Sequence, residues 1–271
     1  MRLRTKGWTS ASTPASIRRL IDTYRDSSTP VLAARKQAAV TQFAHVALDV
    51  LASNSRKSGR NAPVVSNYCI EAFSTLLLAG DMRSALEITR MFRLRGAEYS
   101  EIAENLFTPA LRQMGERWRL DRASMIEVHL GVSTLKRTNT AFCASLGEWP
   151  EPVSAKILLG AIAGQDHTLG IYLAAEVFRQ NGWIVSELTA ARPDAILKAA
   201  KEQMPDVVGL TATTDSDLHL VQPMINALKQ LPSAPRVIVG GSAPNLSRLR
   251  ADAIVQTFDM GLIAAYSLLR K

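Results

Sequence analysis

Residues 160–176 read GAIAGQDHTLGIYLAAE, and they place Gln165, Asp166 and His167 side by side. A neutral imidazole is the commonest protein ligand for a metal, and a group hydrogen-bonded to its second ring nitrogen sets how basic that ligand is. Two later clusters complement it. One is Thr211, Thr213, Thr214 and Asp215, a row of hydroxyls beside a carboxylate; the other is Gly240, Gly241 and Ser242. One imidazole, several hydroxyls and a pair of residues without side chains suit a large ligand that needs a metal bond, hydrogen bonds and close backbone approach. Other metal chemistry is sparse. His45, His129 and His219 are scattered, and Cys69 and Cys143 have no partner at zinc-ligand spacing, so both read as buried thiols. Any metal would arrive inside a cofactor.

The elements around these residues predict how they meet. AKILLGAIA is a short apolar run of the kind that forms a buried strand, and LGIYLAAEVFRQNG has the apolar spacing of a helix closed by Gly182. The imidazole therefore sits on a strand-to-helix loop. Further along, WIVSEL, DVVGLTA, RVIVGG and ADAIVQ alternate with helical stretches, giving five βα units in about 120 residues. That alternation predicts an α/β, Rossmann-like (flavodoxin-like) parallel five-stranded domain over 153–271, whose strand-end loops converge on one ligand-binding edge. Asp215 and Asp217 also read as helix-start residues, and His219 as a surface residue of the following helix.

Ahead of this domain, GEWPEP marks a linker at 147–152. Residues 63–146 are helical in pattern and predict an all-α four-helix bundle, with starts at Asp81, at Tyr99 or Ser100, and at Asp121. Residues 1–62 form a basic N-terminal extension containing one amphipathic stretch, VLAARKQAAVTQFAHVALDVLAS. Of the net charge of +8, all comes from residues 1–60, which hold eleven Lys or Arg against three acids. The extension is thus a candidate arm for DNA contact or an acidic partner, read against a plain solvated tail. With 47% hydrophobic residues the chain can bury real cores, and a wholly disordered protein is excluded. No apolar run reaches membrane-spanning length and MRLRTKGWTSASTP lacks a secretory apolar stretch, so no membrane contact and a cytoplasmic location are expected.

The three clusters also agree in spacing. His167-Thr168-Leu169-Gly170 is followed after forty residues by Thr211-Ala212-Thr213, and after a further twenty-six by Gly240-Gly241. In order and distance this resembles the cobalamin-binding domain, with its D-x-H-x-x-G, S-x-L and G-G elements. The resemblance implies that His167 is the lower axial ligand of cobalt, that Gly170 keeps the cavity for the displaced nucleotide tail open, that Thr211 hydrogen-bonds the displaced base, and that Gly240 and Gly241 line the tail's path. One position departs: Gln165 stands where the family has Asp, with Asp166 adjacent, and an amide raises imidazole basicity less than a carboxylate. The bare loop histidine would also suit a phosphate or flavin binder of like topology, and a lone axial imidazole can ligate haem.

The helical region carries a second resemblance. Met114-Gly115-Glu116-Arg117-Trp118 followed by RLDRASMIEVHLG resembles the helical cap of CarH-type light sensors, in which a Trp and, ten and eleven residues later, a Glu-His pair face the upper side of the corrin. Here those positions hold Trp118, Val128 and His129, while the cobalt-capturing histidine that follows the Trp in such receptors is Arg119. An upper metal ligand would then be His129, or His45 from the amphipathic stretch. Over residues 65–271 the chain looks most like the AerR/PpaA group of photosynthesis-gene regulators. That resemblance implies a non-enzymatic, light-responsive antirepressor that binds hydroxo-, methyl- or adenosylcobalamin and contacts a CrtJ/PpsR-type transcriptional repressor. A corrinoid carrier for a methyltransferase system and a haem-binding redox sensor are the alternatives.

Overall fold

The computed structural model describes residues 65–147, 151–162 and 169–269. Helix α1 (Asn67–Leu78) is capped by Ser66, whose hydroxyl accepts the N–H of Cys69 at 3.2 Å, and α2 (Met82–Leu94) by Asp81, which accepts from Ser84. The next helix runs from α3 (Tyr99–Ile102) through a π-helical stretch, Ala103–Phe107, into α4 (Thr108–Arg119). Its cap is Glu98 rather than Tyr99 or Ser100, because Glu98 and Glu101 form a reciprocal box that closes two orphan donors. Helix α5 (Met125–Ala144) likewise starts later than Asp121: Ser124 and Glu127 form its capping box, while Asp121 occupies a left-handed turn at φ 55°. Phe73, Phe107, Phe142, Leu76, Leu77, Ile88 and Leu106 fill the bundle core.

The second half is a five-stranded parallel sheet in the order β2-β1-β3-β4-β5. Its strands are β1 (Lys156–Ile162), β2 (Ile184–Ala191), β3 (Val207–Thr211), β4 (Arg236–Gly240) and β5 (Ala253–Val255). Strands β1 and β3 are central and covered on both faces, which is why their sequences, KILLGAI and VVGLT, are apolar runs rather than alternating ones. The connecting helices are α6 (Leu169–Gln180), α7 (Pro193–Gln203), α8 (Asp215–Lys229) and α9 (Phe258–Leu269), with a 3-10 turn at Leu246–Arg248 where the sequence predicts a short helix. Strand β2 extends three residues past the predicted WIVSEL, since its register with β1 continues to Ile162↔Ala191 beyond a bulge.

The two halves share packing. Leu173 and Val177 of α6 belong to the bundle's core cluster, with Leu169, Tyr172 and Phe258 packed against it. Polar bonds fix the register of this seam. The Tyr99 hydroxyl donates to Asn139 Oδ1 at 2.9 Å, and Asn139 Nδ2 donates to the Tyr172 hydroxyl at 3.2 Å. One turn further along both helices, the Cys143 thiol meets the buried carboxylate of Glu176. Burial first and that carboxylate second push the thiol pKa upward, and burial raises Cys69 to about 11, so both cysteines stay protonated and inert. Among the described residues no helix is long and apolar enough to cross a membrane.

Candidate functional site

The parallel register brings two of the sequence clusters together. Thr211 pairs with Gly240 between β3 and β4, and Gly240 pairs with Val255 on β5, so the threonine and glycine loops leave neighbouring strands side by side. The Ala212 N–H donates to Gly240 O at 2.9 Å and the Ala243 N–H to Ala212 O at 3.2 Å, lacing the loops to each other. Gly241 lies between them at φ 131°, and a Cβ there would collide with the Ala212 carbonyl oxygen. Only glycine satisfies both the angle and the space.

The threonine loop is held from beneath by Asp217, which is 7% exposed. Its carboxylate accepts the Thr213 N–H at 2.7 Å, the Thr213 hydroxyl at 3.0 Å and the Thr214 N–H at 3.0 Å. Burial works to raise its pKa, but these donors outweigh burial and hold it below the usual carboxylate range. The Thr213 hydroxyl proton is thereby committed to Asp217, leaving that oxygen to face a ligand as an acceptor. Asp215 opens α8 and accepts from Asn245 Nδ2 at 3.0 Å, and His219 is exposed as expected.

Above the sheet edge opens a cavity of about 1120 Å³ including its mouth. Gly170, Thr211, Thr213, Gly240, Gly241 and Ser242 line it, together with Gly209, Ala174 and Gly261 on its walls and Ile157, Leu159, Ile238 and Phe178 at its base. Five lining glycines and Ala174 leave an apolar slot bordered by the hydroxyls of Thr211, Thr213 and Ser242, a shape suited to a planar aromatic base. A Cβ at Gly170 would meet nothing within 4 Å, so that residue faces open space. Leu169 differs: it packs against the bundle core instead of lining the cavity. Gln165, Asp166, His167 and Thr168, as well as His45 and the N-terminal extension, lie outside the described residues.

The bundle contributes to the same cavity through Glu104, Thr108 and Arg112, three residues absent from the sequence-based expectation. They fall four apart on one helical stripe, and the first lies in the π-helical stretch, a distortion common at functional sites. No motif or spacing in the sequence singles this stripe out. Helices α4 and α5 then continue beyond the sheet edge. On α5 the order Asn139 at Tyr172, then Cys143 at Glu176, descends alongside α6, so its N-terminal residues rise in the opposite direction. The Tyr172 hydroxyl also donates to the Lys136 carbonyl at 3.4 Å, and His129 lies seven residues earlier, about 10 Å further up the helix. Trp118, at the end of α4, is 49% exposed and so is not a core residue; Val128 is half-buried and His129 exposed. Arg119 is tied back to Glu116 by two bonds of 2.8 and 2.6 Å. The site thus has a floor in the sheet domain and an overhang from the bundle.

Comparison with known proteins agrees with this division. The B12 binding domain family matches residues 155–260, and a second B12 binding domain family matches residues 69–138. The Methanosarcina barkeri monomethylamine corrinoid protein superposes with a TM-score of 0.57 at 13% identity, covering 73% of this chain and 95% of that one. A cobalamin-binding protein from Desulfitobacterium hafniense DCB-2 aligns with a TM-score of 0.40 at 19% identity, covering 73% of this chain and 98% of that one. No curated protein matches the sequence.

Proposed function

We propose that this protein, which carries two B12 binding domains, is a cobalamin-dependent, light-responsive transcriptional antirepressor. The observation that carries the reading is a glycine-rich cavity at the sheet edge that the bundle also lines through Glu104, Thr108 and Arg112; in this reading Trp118, Val128 and His129 form the upper tier of the site. Gly170, Gly209, Gly240 and Gly241 leave room for the nucleotide tail, Thr211 and Thr213 offer hydroxyl oxygens to it, and His167 supplies the imidazole for the metal. Bound cobalamin would supply a light-sensitive metal–ligand bond. Trp118 and the α5 N-terminus would face the upper side of the bound cofactor, so that a change there would act directly on the helices. Such a change regulates only if it favours one partner-binding state of those helices over another. The partner in this reading is a CrtJ/PpsR-type repressor, with DNA contact by the basic extension as an accessory.

A second reading is a corrinoid carrier for a methyltransferase, supported by the bundle-plus-sheet layout shared with the monomethylamine corrinoid protein. One experiment addresses both. Wild type and His167→Ala are loaded with hydroxo-, methyl- and adenosylcobalamin, and absorption spectra are recorded before and after illumination, with and without repressor. The regulatory reading expects a His167-dependent spectrum, a light-induced change and light-dependent repressor binding. Methyl turnover without repressor binding would instead establish the carrier, and identical spectra from both proteins would remove His167 from the metal.

A further inference from the structure

The cavity wall has two owners. Among its described lining residues those of the sheet domain are uncharged, and the two charged side chains, Glu104 and Arg112, both come from the bundle. Glu104 is engaged: its carboxylate accepts the Phe258 N–H at the start of α9 at 3.2 Å. Arg112 makes no hydrogen bond or ion pair with any described residue, although it stands one turn beyond Thr108 on the stripe that faces the slot. A guanidinium with no partner among the described residues, at the mouth of a cavity walled on its sheet-domain side by glycines, fits an anion presented next to a planar group. Its fork of donors matches the paired oxygens of a phosphate better than a lysine's point charge would.

We infer that Arg112 recognises the phosphodiester of the ligand's nucleotide tail, so that the helical domain reads the tail jointly with the sheet domain. The inference rests on the cobalamin reading and adds a specificity residue to it. Binding of a complete cobalamin then engages the bundle at two levels, Arg112 at the tail and Trp118 above, whereas a corrinoid without the tail engages only the upper one. Discrimination between complete and tail-less corrinoids belongs to a residue outside the sheet domain.

The test is a comparison of dissociation constants for hydroxocobalamin and for cobinamide, which lacks the nucleotide tail, in full-length wild type, Arg112→Gln and Arg112→Lys. Absorption titration and equilibrium dialysis provide the readout, and thermal unfolding checks that the variants fold. Arg112→Gln is expected to weaken hydroxocobalamin binding about tenfold or more, as for loss of a charge-assisted hydrogen bond, while leaving cobinamide unchanged. Arg112→Lys should fall between the two, and rising ionic strength should narrow the gap. Equal hydroxocobalamin affinity in wild type and Arg112→Gln, or equal weakening of both ligands, would overturn the assignment while the cofactor reading stands. Wild type that binds neither corrinoid would overturn both.

Discussion

The carboxylate of Glu104 accepts the backbone N–H of Phe258 at 3.2 Å, tying a π-helical turn of the bundle to the first turn of α9 across 154 residues of sequence. The bond closes one of the orphan donors at a helix start and sets a negative charge where the helix dipole favours it. Both domains and the cavity wall meet at this point. Glu104→Ala should lower stability by about 1–2 kcal/mol and speed proteolysis of the 147–152 connection. Glu104→Gln keeps an acceptor and should recover part of the loss. Calorimetry and limited proteolysis provide the measurement; unchanged melting and cleavage in Glu104→Ala would show that the bond does not hold the domains together.

Gly170 and Gly241 border the same cavity but should respond oppositely to substitution. At Gly170 an added side chain enters open space, so Gly170→Phe should leave stability nearly unchanged, or raise it slightly within the helix, while filling the slot and abolishing corrinoid binding. At Gly241 a Cβ would collide with the Ala212 carbonyl in a left-handed backbone, so Gly241→Ala should cost on the order of 3 kcal/mol. Urea unfolding separates the two, with corrinoid binding measured in parallel. A stable Gly170→Phe protein that still binds cobalamin would move the tail to another site.

Asp217 predicts a pH dependence with a defined sign. Its folded pKa is depressed by the Thr213 and Thr214 donors against the opposing effect of burial. The stabilisation is therefore complete above its unfolded value of about 4 and is lost as pH falls through the lower native value. Near neutral pH, Asp217→Asn should cost roughly 1–3 kcal/mol, because a neutral amide oxygen accepts the three donors now bonded to Asp217 Oδ2 less strongly than a carboxylate does. At about pH 3 the gap from wild type should shrink as the wild-type carboxylate begins to protonate. Urea unfolding at the two pH values checks it, and a gap that does not narrow would locate the acid-sensitive group elsewhere.

Much of the architecture is legible in the sequence. The parallel sheet follows from alternating apolar runs and helical stretches. The meeting of the threonine and glycine clusters followed too, since consecutive strand ends in a parallel sheet share one edge, as the Thr211↔Gly240 register bears out. Helix starts were less legible. Tyr99 or Ser100 and Asp121 were each reasonable caps, but reciprocal boxes centred on Glu98 and Ser124 satisfy two backbone donors at once and won.

What the sequence determined by itself was the order and spacing of the cofactor motif, because those depend on strand and helix lengths along one chain. The tertiary structure decided which bundle residues face the slot. Glu104, Thr108 and Arg112 form a polar stripe that the sequence motifs do not single out. They face the cavity because Tyr172, Leu173 and Val177 bury α6 against the bundle, and that packing turns the stripe inward. Periodicity encodes which residues share a helix face; the surface that face meets is settled by non-local burial.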